Sequence, residues 1–191
     1  MIELVHAASD VQTFCLRQNW RFCFIGGLAV QYWAEARVTR DVDLTLLTGF
    51  GSEQPFIEAL LLRFKARRED AATFALRNRV LLLQTEKGIG IDVALGGLPV
   101  EESIVSRARD WEVLPNHPLR ICTPEDLILL KAFAARPQDW HDVKMTIVRQ
   151  GDANLDWEYI FGFLKPLAEA KEEPGIVNQL EELRAHLKDI S

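Results

Sequence analysis

The sequence predicts an α+β fold, strand-rich to about residue 120 and helical over 121–191. Three observations carry this. Short apolar runs at residues 22–25, 42–47, 80–85 and 89–95 have strand length and are bounded by glycine-containing turns. Beyond about Leu119 such runs stop and stretches of helical spacing take over. Between the two halves, Thr123-Pro124-Glu125-Asp126 supplies a capping hydroxyl, a proline for the first helical position and an acidic first turn.

Taken in order, Ser9 can cap a first helix over 9–19, in which Val11, Phe14 and Cys15 recur at helical spacing. The run at 22–25 is a strand that ends at Gly26-Gly27, and a helix over 28–36 follows, so the glycines lie between strand and helix. The run at 42–47 is the second strand, with a helix at 55–64 after the Thr48-Gly49-Phe50-Gly51 turn. Glu86-Lys87-Gly88 joins the runs at 80–85 and 89–95 as a hairpin, and Gly96-Gly97-Leu98-Pro99 reads as a turn. The Thr123-capped helix should reach about 135, and further helices are expected at 138–150, 155–170 and 175–189. The division expected from this layout is a core over 1–120 and a helical subdomain over 121–191. There is no internal repeat and no low-complexity linker.

With 191 residues and a net charge of -6, the chain has the length for a sizeable core and lacks the basic excess of a dedicated nucleic-acid coat. A local basic cleft remains compatible with that balance, and Arg63, Lys65, Arg67, Arg68, Arg77 and Arg79 are candidates for guiding RNA or a triphosphate. Cys15, Cys23 and Cys122 sit in apolar surroundings without Cys-x-x-Cys spacing, which suits a reducing compartment. No secretory leader pattern and no membrane-length apolar run is seen, so a cytoplasmic protein without membrane attachment is expected. The four histidines lack zinc-ligand spacing, and no nucleophile elbow is present.

Asp41 and Asp43 flank Val42 at the start of a strand, where alternation points both carboxylates to one face. If they converge to about 6 Å, their repulsion at an effective dielectric of 20 is about 3 kcal/mol, a sizeable share of a domain's stability. A divalent cation between them reverses that sign. Magnesium favours carboxylate oxygens and keeps positions open for substrate phosphates. Gly26-Gly27, at a helix start, can bring backbone N–H groups and the positive helix end up to phosphate.

The stretch Phe24-Ile25-Gly26-Gly27, a spacer over 28–40, then Asp41-Val42-Asp43-Leu44 resembles the DNA polymerase beta superfamily of nucleotidyltransferases. That resemblance implies a short mixed β-sheet flanked by helices with a C-terminal helical region. It also implies two magnesium ions held by the paired acids and by a third acid from a later strand. Asp92, in Ile91-Asp92-Val93, stands where that third acid is expected and interrupts an otherwise apolar run, which is costly unless the charge is partnered. Thr123 to Ile128, Lys131 and Arg136-Pro137-Gln138-Asp139-Trp140-His141-Asp142 narrow the match: they resemble the abortive-infection toxin (AbiEii-like) nucleotidyltransferases. That family often carries lysine where Gln138 stands.

The resemblance implies transfer of a nucleoside monophosphate from a nucleoside triphosphate to a hydroxyl of tRNA, protein or a small molecule. A cognate antitoxin is the implied partner. Asp41, Asp43 and Asp92 would be the metal-binding and catalytic acids, Gly26 and Gly27 the phosphate cradle, and Arg40 a cation for the leaving pyrophosphate. Lys131 would be a phosphate contact oriented by Asp139 or Asp142, facing the carboxylates across a cleft. A noncatalytic binding module of the same fold and a magnesium-dependent phosphohydrolase are the rival readings.

Overall fold

The computed structural model describes residues 2–188. The chain forms two compact units, Met1–Leu28 with Val38–Cys122, and Ala29–Arg37 with Thr123–Ser191. The segment Ala29–Arg37 therefore groups with the helical half, which a cut at one point in the sequence does not express.

In the first unit, α1 (Ile2–Arg17) starts well before Ser9, because Leu4, Val5, Ala7 and Ala8 continue its buried stripe. β1 (Phe22–Phe24) is buried throughout. α2 (Gly26–Trp33) begins at the glycines themselves, so they form its first turn instead of preceding it. β2 (Asp41–Leu47) alternates in exposure at its start, with Val42 and Leu44 buried and Asp41 and Asp43 half-buried. α3 (Gln54–Arg63) carries proline in its first turn. β4 (Val80–Gln84) and β5 (Gly90–Gly96) pair antiparallel as the expected hairpin, closed by Thr85 accepting from the Gly88 N–H at 3.0 Å.

Several elements carry weak local signals. The two-residue strand β3 (Lys65–Ala66) and the helix α4 (Ala71–Asn78) lie in a charged stretch without a long apolar run. α5 (Pro99–Arg107) starts at the supposed Gly96–Pro99 turn because the Glu101 carboxylate reaches back to the Gly97 and Leu98 N–H groups at 2.7 and 2.8 Å, capping the first turn. The hairpin of β6 (Arg109–Leu114) and β7 (His117–Ile121) turns at Asn116, φ 63°, and its outer strand is too polar to read as a strand from periodicity.

These strands make one mixed sheet in the order β3-β4-β5-β2-β1-β7-β6. β2 lies at its centre, parallel to β5 and antiparallel to β1. Val42, Leu44 and Leu46 stand in register with Ile91, Val93 and Leu95, and all six are buried. This apolar face is the reason the acids of β2 and β5 share the other one.

The second unit is helical: α6 (Pro124–Ala134), α7 (Pro137–Gln150), α8 (Trp157–Ala170) and α9 (Gly175–Lys188), with a short 3-10 turn at Asp152–Asn154. The expected end of the last helix at 189 lies outside the described residues. Thr123 caps α6 as expected, its Oγ1 accepting from the Asp126 N–H at 3.3 Å while Asp126 Oδ2 accepts from the Thr123 N–H at 3.0 Å. Ala135, with φ 57°, turns the chain between α6 and α7. The tail of α2 is tied into this unit by Gln150 donating to the Trp33 carbonyl at 2.8 Å and Arg149 to that of Ala34. Among the described residues no helix is long and apolar enough to cross a membrane, and Cys15, Cys23 and Cys122 are buried thiols outside any disulfide.

Candidate active site

The first unit brings Gly26, Gly27, Asp41, Asp43 and Asp92 together by strand register. Asp43 pairs with Asp92 across the parallel β2/β5 ladder, so their side chains rise from the same face, and Asp41 lies two residues earlier on that face. The Ile25 N–H bonds the Asp43 carbonyl at 3.0 Å, which delivers the following glycines to the Asp43 side chain. The Gly27 N–H donates to Asp43 Oδ2 at 3.2 Å, and Thr39 packs on Gly27.

Gly26 has no room for a side chain. Its φ is +58°, and a Cβ there would fall 2.2 Å from Asp43 Oδ2. Left-handed backbone alone costs a residue with a Cβ about 1–2 kcal/mol, and displacement of the Asp43 carboxylate adds to that. Gly26→Ala is therefore expected to lower stability by about 2 kcal/mol or more, measured as a shift of the denaturation midpoint at unchanged slope.

Asp41, Asp43 and Asp92 are half-buried. Burial pushes the Asp92 carboxyl above the ordinary carboxylate range; the Arg67 guanidinium opposes this and the Asp41 charge adds to it. Arg67 is hydrogen-bonded to Asp92. Hard carboxylate oxygens on one face of adjacent strands, with excess negative charge, suit magnesium in donor type and register. Among the described residues, no three His, Cys, Asp or Glu side chains are gathered closely enough to hold an ion as they stand. The cause is visible in the hydrogen bonds, since Asp43 is turned to Gly27 and Asp92 to Arg67.

Arg40 is exposed immediately before β2. Three of the other expected cations have partners outside the acid face. Arg68 pairs with Asp70 at 2.9 Å, Arg63 lies over the Phe64 ring at 5.1 Å, and Arg79 bonds Glu53 and the Leu95 carbonyl. The role of Arg67 at Asp92 has no local signal, since the two are 25 residues apart.

The second unit gathers the other motif. Lys131 Nζ lies 2.8 Å from Asp139 Oδ1 and 2.9 Å from Asp142 Oδ2. Arg37 makes a two-pronged bond to Asp142, Nε and Nη2 each at 2.9 Å, and Arg136 Nε reaches Asp139 at 2.6 Å. Gln138 donates to Asp142 at 3.4 Å. Lys131, Asp139 and Asp142 are all buried. Burial alone would raise both carboxyls, but the bonds from Lys131 and Arg136 to Asp139, and from Arg37 and Lys131 to Asp142, outweigh it and hold both below the ordinary range.

A carboxyl depressed by folding stabilises the native state above its unfolded pKa and loses that contribution as pH falls through the folded value. Stability should therefore decline below about pH 4, the ordinary carboxylate range. Asp142→Asn, which removes one of these groups, should flatten that acid limb in urea titrations between pH 6 and pH 2.5.

The arrangement is that of a nucleotidyltransferase fold. It is similar to the solution structure of the antibiotic-resistance factor ANT(2'')-Ia, with a TM-score of 0.54 and 19% identity over 90% of this chain and 92% of that one. It is similar too to the crystal structure of an antigenic nucleotidyltransferase-like protein from Paracoccidioides brasiliensis, with a TM-score of 0.53 and 14% identity over 95% and 93% of the two chains. The family model "Nucleotidyl transferase AbiEii toxin, Type IV TA system" matches residues 17–185, and the chain belongs to that family. Comparison with curated proteins found no match.

Proposed function

We propose that this chain is a magnesium-dependent nucleotidyltransferase toxin that moves a nucleoside monophosphate from a nucleoside triphosphate to a hydroxyl of tRNA or protein. The observation that carries the reading is the Asp43–Asp92 register beside Gly26-Gly27, with three carboxylates on one sheet face and one of them, Asp43, accepting from the Gly27 N–H. Membership of a type IV toxin–antitoxin family supports a cognate antitoxin as partner, and three buried thiols outside any disulfide suit a reducing cytoplasm.

Asp41, Asp43 and Asp92 would hold two magnesium ions, which when bound supply positive charge to the attacking oxygen and to the triphosphate. In the transfer, the acceptor oxygen bonds to the α-phosphorus, the bond from that phosphorus to the bridging oxygen breaks, and pyrophosphate leaves. Asp92, with its carboxyl pushed up by burial, is the group assigned to receive the acceptor proton. Gly26 and Gly27 would face the phosphates with backbone N–H groups, and exposed Arg40 would meet the leaving pyrophosphate. Any phosphate bound by Lys131 would have to share its ammonium with Asp139 and Asp142.

The test is incubation of purified protein with each α-labelled triphosphate, magnesium and total cell RNA or protein. Chelator-sensitive label in a macromolecule is the expected result. Label released only as free nucleotide would favour a phosphohydrolase, and no turnover in any mixture a noncatalytic binding module.

A further inference from the structure

We propose that Arg67 is a tethered counter-ion of the acid site, occupying the Asp92 carboxylate until a divalent cation displaces it and so setting the metal concentration at which the site loads. The inference rests on the reading of Asp41, Asp43 and Asp92 as metal ligands.

The placement follows from register. Arg67 continues the edge strand β3, and its N–H bonds the Leu82 carbonyl at 3.0 Å. Leu82 in turn pairs with Asp92 in the β4/β5 ladder. Arg67 and Asp92 are thus two strands apart, roughly 9–10 Å at ordinary strand spacing, a span that an extended arginine bridges to a neighbouring carboxylate. The guanidinium crosses β4 and bonds Asp92, with side-chain exposures of 28% and 34%. Room for it comes from Gly90: Arg67 Nη1 lies 3.2 Å from the point a Cβ would occupy there, and Asp41 Oδ1 lies 2.1 Å from the same point. The guanidinium therefore stands beside two of the three acids.

Its neighbours do not duplicate it, since Arg68 is committed to Asp70 and to the Phe74 ring. The guanidinium lowers the repulsion felt by Asp92 among the three carboxylates of this face. A divalent ion bound at Asp92 Oδ1 competes with the guanidinium for that oxygen, because the two cations repel at contact. On this proposal the ion loosens or breaks the Arg67–Asp92 pair, and that cost enters its affinity. Arg67 acts through Asp92, so it is a positioning residue.

The test uses the full chain and Mn2+ alone, with free ion followed by electron paramagnetic resonance. Opposite charge within about 4–6 Å shifts a carboxylate's ion affinity by one or more powers of ten, so Arg67→Gln should bind Mn2+ about tenfold more tightly than the unmodified chain. Arg67→Lys, a cation with poorer fork geometry, should fall between them. The Arg67 Nε–H nuclear magnetic resonance signal, assigned by its loss in Arg67→Lys, should move when Mg2+ is added. Equal or weaker Mn2+ binding by a natively melting Arg67→Gln, or saturation by Mg2+ with that signal unmoved, would overturn the proposal. Should Arg67→Gln fail to fold, the lysine variant and the signal in the unmodified chain decide. Absence of Mn2+ binding in the unmodified chain would bring down the metal reading and Arg67 with it, whereas Mn2+ binding that depends on Asp43 but is indifferent to Arg67 would sink Arg67 alone.

Discussion

Asp43→Asn should reduce label transfer from triphosphate to acceptor by about 10²–10³-fold, the scale on which removal of one pre-organised electrostatic group lowers turnover. The substitution keeps the shape of the side chain and an oxygen able to accept from the Gly27 N–H, now at 3.2 Å, so little loss of structure is expected. What disappears is one negative charge from the face where Asp41 and Asp92 also stand. Because that charge repels its neighbours in the absence of a cation, the variant should melt no lower than the unmodified chain, and slightly higher in chelator. Calorimetry of triphosphate binding with and without magnesium separates the effects: the unmodified chain should bind only with the metal, and the variant should lose that dependence. An active Asp43→Asn, or triphosphate bound equally well in chelator, would refute the metal role of the pair.

The second large effect falls on stability. Lys131→Ala should destabilise the protein by about 3–5 kcal/mol, the usual result of deleting one partner of a buried ion pair. The ammonium is 11% exposed and holds Asp139 and Asp142, themselves 3% and 1% exposed, so its removal leaves two buried carboxylates short of positive charge. Arg37 still grips Asp142 and Arg136 still reaches Asp139, which keeps the loss finite. Lys131→Arg preserves charge in a larger fork and should lose less. Chemical denaturation measures both, and a midpoint for Lys131→Ala within experimental error of the unmodified chain would show that the cluster is energetically idle. Activity of this variant must be compared below its own unfolding transition, since loss of fold would otherwise be read as loss of chemistry.

These two substitutions separate what was legible from what was not. The Asp-x-Asp pair and the glycines could be found because each is a local pattern: two residues on a strand share a face by alternation, and a strand-to-helix turn is signalled by its glycines. Asp92 could be singled out because a charge inside an apolar run demands a partner. The polar hairpin Arg109–Ile121 and the charged stretch with β3 and α4 escaped, since their strands and helix are set by neighbours in the sheet and not by their own periodicity. Lys131 is legible through its motif, and the family resemblance sets Asp139 or Asp142 beside it. Its burial is not legible, because it depends on two aspartates eight and eleven residues later folding back onto it.

The sequence by itself determined the α+β layout, the acid pair, the glycine turn and the capped helix at Thr123, because each depends on residues within a few positions of one another. Tertiary structure alone decided that Asp92 pairs with Asp43, that Arg67 reaches Asp92 across β4, and that Arg37 closes on Asp142 over 105 residues of chain. Such pairings are chosen by strand register and by burial of charge against charge, and both are energies of the assembled chain that no short stretch of it carries.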